Sequence, residues 1–294
     1  MPKQIAPLAV FGFIVFACFA NGSPLAPQAK SEGVPARGQL AIIIDDIGYN
    51  LSLGRRTADL PGNFTLAVLP FTPHGTELAE RAHKRGKEIM LHAPMSNHHD
   101  YPLGRGGLTN TMKHAEFLAV LRQNLASVPY VRGVNNHMGS RLTEQAEPMR
   151  WLMDELQQRR LYFVDSRTSA QTQALAMAER IQVPSRKRDV FLDDERDTDA
   201  IRQQLINALQ RARQQGSAIA IGHPYPETLA LLEQLPPLLE QYQVKLVSAS
   251  HLMPSHRHTI QKPFSCLAPP MELWPQLHVP ADPFAIDYPF NNDH

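Results

Sequence analysis

Along the chain, short unbroken apolar runs alternate with longer amphipathic stretches. The runs cover Leu40 to Asp45, Phe64 to Leu69, Glu88 to His92, Val131 to Asn135, Tyr162 to Asp165, Val190 to Leu192, Ala218 to Gly222 and Lys245 to Ser248. They are short, β-branched and bounded by turn formers, which predicts strands. Because they are continuous rather than alternating, both faces of the sheet should be covered, as in parallel sheets. The stretches between them carry helix signals: Thr72-Pro73 at a first turn, Thr143 followed by Glu144 and Glu147, and Gly216 closing a run that begins near Asp199. Repeated strand-helix units imply right-handed crossovers in an α/β fold. An open doubly wound sheet and a closed β/α barrel both fit, and periodicity alone does not separate them.

A chain of 294 residues, 43% hydrophobic and 19% charged, can bury one good-sized core, so a single domain is expected. The net charge of +1 comes from interspersed acids and bases, which leaves no basic face for a polyanion and predicts no nucleic-acid partner. At the N-terminus, Lys3 precedes an apolar run from Leu8 to Ala20 and a polar, turn-rich Asn21-Gly22-Ser23-Pro24. That layout reads residues 1–20 as an export signal and predicts a periplasmic protein with no membrane contact beyond this segment. Cleavage after Ala20 would discard Cys18 and leave Cys266 without an internal disulfide partner. An uncleaved anchor and lipidation at Cys18 stay open, and both keep the domain outside the inner membrane. Residues 21–38 have a linker composition, residues 39–253 hold the domain, and residues 254–294 form a proline-rich tail. Oligomeric state is not legible.

In either architecture, ligands gather at the carboxyl ends of the strands. Those ends are Asp45-Asp46, His92, Asn135-Asn136-His137, Asp165-Ser166, Asp193-Asp194 and His223. Two imidazoles and a carboxylate at one mouth are a recurrent ligand set for a divalent metal, zinc first among them. A second carboxylate can take a proton from activated water, and a histidine across the site can protonate a leaving group. Without a cation, Asp45 and Asp46 would repel each other. His223 precedes Pro224, which extends its backbone and aims its ring. Asn136, Asp165 and Asp193 are candidates to orient a ligand or touch substrate. The plainer alternatives are capping for each aspartate and a backbone-bonded or loop role for each histidine. The segment Ala93 to Met112 predicts a mobile lip, with Tyr101 and Arg105 positioned to meet a sugar. His98-His99-Asp100 reads as solvated loop.

The segments IIIDDIG (Ile42 to Gly48), LHAPM (Leu91 to Met95), NNHMGS (Asn135 to Ser140), FVDSRTS (Phe163 to Ser169), FLDDERD (Phe191 to Asp197) and AIGHPYPET (Ala220 to Thr228), in this order, resemble the divergent polysaccharide deacetylase family. That family is a distant branch of the NodB-like carbohydrate esterases. The resemblance implies an irregular β/α barrel and metal-dependent removal of acetyl groups from sugars. It makes Asp45 the base, Asp46 and His92 metal ligands, and His223 the acid. The wider group has a second histidine four residues after the first, where this chain has Ser96; we take His137 as the replacement. The Arg-x-Pro-Tyr segment of the wider group is absent, and its Asp-x-x-Asp-Trp segment has no clear counterpart around Asp165. The expected function is therefore a metal-dependent hydrolase of acylated envelope carbohydrate. The alternative is a non-catalytic periplasmic protein that binds a glycan or a partner. A metal phosphoesterase is disfavoured, because neither a second ligand set nor a basic phosphate clamp is evident.

Overall fold

In the computed structural model, which describes residues 36–254 together with Met1, each of the apolar runs overlaps a parallel strand. The expected export signal and proline-rich tail, and nearly all of the linker, lie outside the described residues. In chain order the elements are β1 (Gly38–Ile47), α1 (Leu51–Ala58), β2 (Thr65–Val68), α2 (Gly75–Lys84), β3 (Glu88–Met95), α3 (His114–Ser127), β4 (Val131–Met138), α4 (Ala146–Arg159) and β5 (Tyr162–Asp165). There follow α5 (Ala174–Ile181), β6 (Ser185–Lys187), β7 (Val190–Phe191), α6 (Thr198–Gln215), β8 (Ser217–Gly222), α7 (Pro226–Leu232), α8 (Leu235–Tyr242), β9 (Val244–Val247) and a closing 3-10 turn at Ala249–Leu252. None of the described helices is long and apolar enough to cross a membrane.

The strand order is β6-β5-β4-β3-β2-β1-β8-β7, all parallel, with β9 beside the first half of β1. The curled sheet is a barrel that does not close. Its seam falls between β6 and β7, neighbours in sequence but opposite ends of the strand order. Two residues bridge it: Arg188 N donates to Asp165 O at 2.9 Å on one side, and Asp189 N donates to Ile219 O at 2.8 Å on the other.

Side chains alternate across each strand, and here the two faces build two separate cores. Ile42, Ile44, Leu66, Leu91, Val134, Phe163 and Ala220 face outward and pack beneath the helices. Ala41, Ile43, Ala67, Met90, Tyr162, Val164, Ile219 and Ile221 face inward, and the closing turn adds Ala249 and Leu252 to that inner cluster. This double cover explains why the strands read as continuous apolar runs. At the amino end of the barrel, Glu88 Oε1 accepts from Tyr162 Oη at 2.8 Å, Thr65 Oγ1 at 3.1 Å and Ser250 N at 3.0 Å. These bonds tie the turn across the barrel floor.

Several expected boundaries need correction. The segment Ser185–Lys187 pairs as β6, yet it is too short and polar to form an apolar run. The run at Val190 to Leu192 yields only the two residues of β7. β3 extends to Met95, so Ala93, Pro94 and Met95 of the expected lip are strand; the irregular lip begins after them. Thr72 and Thr143 stand before their helices rather than at the caps, each hydroxyl donating to a carbonyl three or four residues back.

Gly133 makes room for the inner core. An added Cβ there would lie 2.4 Å from Tyr162 Cζ, closer than any relaxed contact. Gly133→Ala should lower stability by about 1–3 kcal/mol, the usual range for overpacking, and Tyr162→Leu in the same chain should recover part of the loss. Denaturant unfolding checks this, and unchanged stability in Gly133→Ala would contradict the inner packing.

Candidate functional site

The two-residue period that separates the cores also selects which polar side chains meet at the mouth. Past inward-facing Ile43, Met90, Ile219-Ile221 and Phe191 come Asp45, His92, His223 and Asp193, each two residues on. On β4 the same parity runs through Gly133, Asn135 and His137. By parity Asp46 belongs on the outer face. Instead its φ of 56° puts it in the left-handed region, and the pairing of β1 with β2 slips between Ile44 and Ile47. A non-glycine residue there carries strain of about 1–3 kcal/mol. The result is that both aspartates turn toward one rim.

Asp45 and His92 are buried, and Asn135 joins them. Asn135 Nδ2 donates to Asp45 Oδ1 at 2.8 Å, and Asn135 Oδ1 lies 2.7 Å from His92 Nδ1. An ionised carboxylate only accepts, so the amide must present its NH2 to Asp45 and its oxygen to His92. His92 Nδ1 therefore carries a proton, and Nε2 of the neutral ring points a lone pair into the mouth. That nitrogen lies 3.2 Å from Asp46 Oδ1 and 3.6 Å from Asp45 Oδ2. His137 Nδ1 is 2.9 Å from Asp46 Oδ1 and 3.1 Å from His92 Nε2. Yet Asp46 Oδ1 is buried and has no hydrogen bond of acceptable geometry. The ligand atoms of Asp46, His92 and His137 all lie within 4.8 Å of one another. A carboxylate oxygen and two imidazole nitrogens converging with too few protons between them make a cavity for a cation, so the donor set fits a divalent metal.

The electrostatics agree. Burial pushes the Asp45 carboxyl above its ordinary range, against the opposing pull of His92 and His223. For Asp46 burial acts in the same sense, but the adjoining imidazoles of His137 and His92 override it and hold the carboxyl well below the usual range. His92 is raised: burial favours its neutral form, and the charges of Asp45 and Asp46 outweigh that.

His223 stands across the mouth, with Nε2 3.8 Å from Asp46 Oδ2 and Nδ1 2.9 Å from Asp193 Oδ1. The other Asp193 oxygen accepts from His223 N at 2.6 Å and from Thr228 Oγ1 at 2.8 Å, which fixes the carboxylate. Burial works against the imidazolium, but the bond to Asp193 and the charge of Asp45 carry its pKa up to about 9. Near neutrality this ring holds a proton on Nε2, facing the site.

The remaining expected residues do not join the cluster of ligand atoms. Asp165 has the outward parity and is fully buried, accepting from Arg167 N at 2.8 Å and Thr172 Oγ1 at 3.1 Å. Asn136 lines the mouth cavity, but its amide stitches the β4 and β5 loops: Nδ2 donates to Met138 O at 2.7 Å, and Oδ1 accepts from Ser166 N at 2.9 Å. In the lip, Tyr101 is exposed and Arg105 lies over the Phe71 ring at 4.2 Å. Arg105 and His137 line a cavity of about 290 Å³ with Tyr49, Leu69, Pro94 and Leu103. His98 pairs with Glu144 at 3.1 Å on an exposed surface. The sequence gives Arg188 and Thr228 no place in the site, and names Asn135 and Ser166 only as strand-end residues without a role. Parity along the strands reaches Asn135 and Ser166. Arg188, in a two-residue seam, and Thr228, in a helix, carry no such signal.

The model of the divergent polysaccharide deacetylase family matches residues 42–253. The uncharacterized protein YibQ of Escherichia coli is 40% identical over 220 residues, 74% of this chain and 67% of that protein. An uncharacterized protein of Haemophilus influenzae is 35% identical over 233 residues, 79% of this chain and 82% of that one. The crystal structure of an uncharacterized protein of Agrobacterium tumefaciens superimposes with a TM-score of 0.71 at 24% identity, covering 75% of this chain and 90% of that chain. It shares the fold.

The Asp193 contact generates a pH test. A folded pKa raised from 6.5 to about 9 means that His223 stabilises the fold fully below about pH 6.5 and loses that contribution as pH rises through about 9. In chelator-treated protein, Asp193→Asn should move the His223 imidazole titration, followed by NMR, down toward its ordinary value and flatten the stability loss across that window. A titration unmoved by Asp193→Asn would contradict this account.

Proposed function

The chain belongs to the divergent polysaccharide deacetylase family, and from that membership we propose that it is a metal-dependent hydrolase of acylated carbohydrate in the cell envelope. The observation that carries this reading is the buried, unbonded Asp46 Oδ1 beside two imidazole nitrogens. Asp46, His92 and His137 would hold a divalent cation, and zinc suits one carboxylate with two imidazoles. When bound, such an ion lowers the pKa of water and polarises a carbonyl oxygen.

The protein's own residues account for the proton movements. Asp45 takes a proton from the water that adds to the carbonyl carbon, helped by a carboxyl whose burial raises its basicity. His223 donates its Nε2 proton to the departing alcohol or amine as the bond from the carbonyl carbon to that oxygen or nitrogen breaks. Asp193 keeps the ring aligned and charged for that transfer. Asn135 holds His92 in the tautomer that leaves Nε2 available. The products are a carboxylic acid and a sugar bearing a free hydroxyl or amino group.

The apolar run from Leu8 to Ala20 supports export, so we assign the activity to the periplasmic side. The family supports a carbohydrate substrate.

Metal analysis of the purified chain should find one divalent ion per protein, lost in both Asp46→Asn and His92→Ala. Equal metal in all three would remove the hydrolase reading. His223→Ala should keep its metal while acetate release from acetylated glycan falls on the order of 10²–10⁴-fold, the usual contribution of a general acid. Unchanged turnover would refute that role.

A further inference from the structure

The mouth opens into a cavity of about 530 Å³ whose lining includes Asp45, His92, His223, Ser166, Arg167 and Arg188. The hydrolytic chemistry uses the first three. The other three share one wall, built where the barrel fails to close.

Ser166 continues the inward parity of Tyr162 and Val164 beyond the end of β5. It is 6% exposed, and its Oγ has no hydrogen-bond partner among the described residues. A buried hydroxyl left in that state costs free energy unless a ligand satisfies it. Arg188 lies over the Phe191 ring at 4.7 Å, with Nε donating to Ser166 O at 2.7 Å and Nη2 to Arg167 O at 3.3 Å. These bonds use two of the five N–H donors of a guanidinium and hold its plane still. Its neighbour Arg186 reaches Asp189 at 3.6 Å, whereas the hydrogen bonds of Arg188 among the described residues go to carbonyl oxygens. Arg167, half-buried, lines the same cavity, and its φ of 55° places its backbone in the left-handed region. Asp45 and Asp194 also line the cavity. Asp45 is engaged by Asn135 on the metal side, and Asp194 is exposed to water.

A half-buried, immobilised guanidinium, a second arginine lining the same cavity and an unsatisfied hydroxyl match the donors that a carboxylate accepts in bidentate fashion. We propose that Ser166, Arg167 and Arg188 form a carboxylate-binding subsite, so that the glycan entering the cavity carries an acidic sugar beside its acylated position. The second half of that statement rests on the hydrolase reading; the subsite itself does not.

The test is calorimetric titration of the full chain, treated with chelator so that no metal can bind the probe. The probes are N-acetylmuramic acid and its methyl ester, which differ only in the charged group. The acid should bind at least about tenfold more tightly than the ester at low ionic strength, the scale of one charge-assisted hydrogen bond, and added salt should narrow the gap. Arg167→Gln, whose side chain ties no element of the fold, should erase most of the preference. Arg188→Lys, which keeps the charge and loses the fork, should weaken it. Equal binding of acid and ester, or a preference that survives Arg167→Gln, would overturn the subsite. A chain that prefers the acid but holds no metal and releases no acetate would sink the hydrolase reading and leave the subsite standing.

Discussion

A carboxylate oxygen pressed between two imidazole nitrogens without a hydrogen bond is the contact on which the rest of this structure turns. Asp46 Oδ1 lies 2.9 Å from His137 Nδ1 and 3.2 Å from His92 Nε2. In water such a group would be solvated, and in a core it would be paired. Here it is buried with imidazole nitrogens beside it but no hydrogen bond, and a left-handed backbone holds it in place. Proteins tolerate strain and unsatisfied polar atoms together mainly where a ligand repays both.

The surrounding shell reads as support for that contact. Asn135 links Asp45 to His92 and thereby sets a tautomer, and Asp193 links His223 to Thr228 and thereby sets a charge. Burial pushes both carboxylates of β1 up, and the imidazoles beside Asp46 reverse that push for it alone. For Asp45 burial outweighs the pull of His92, His223 and the Asn135 amide and the carboxyl moves up, whereas Asp46 is in direct contact with two imidazoles and moves down. Paired acids whose environments push them in opposite directions are the arrangement that lets one bind a cation and the other take a proton. Because an imidazole binds a metal only in its neutral form, cation binding should be linked to pH.

Much of this was legible in the chain. Continuous apolar runs ending in Asp, His or Asn identified the parallel strands and their working ends, and the quoted segments pointed to the right family. Side-chain parity along the strands carries a finer distinction. It separates Asp45, Asn135, His137 and Ser166 from Asn136 and Asp165, which stand one position away and serve the loops or the outer layer. Asp46 breaks the parity rule through a left-handed backbone that no apolar pattern encodes. Arg188 was invisible for a different reason: the seam it spans exists only because β6 and β7 end on opposite edges of the curled sheet, a property of closure rather than of local sequence. Whether the barrel closed was likewise undecidable from periodicity, since a strand of Ser-Arg-Lys leaves no apolar trace.

The most direct measurement is anomalous diffraction at the zinc absorption edge from crystals of the chain grown with one equivalent of zinc. The account predicts a single peak within bonding distance of Asp46 Oδ1, His92 Nε2 and His137 Nδ1, with Asp45 and His223 outside the coordination shell. Crystals with no peak at the mouth, or with a peak held by other residues, would contradict it.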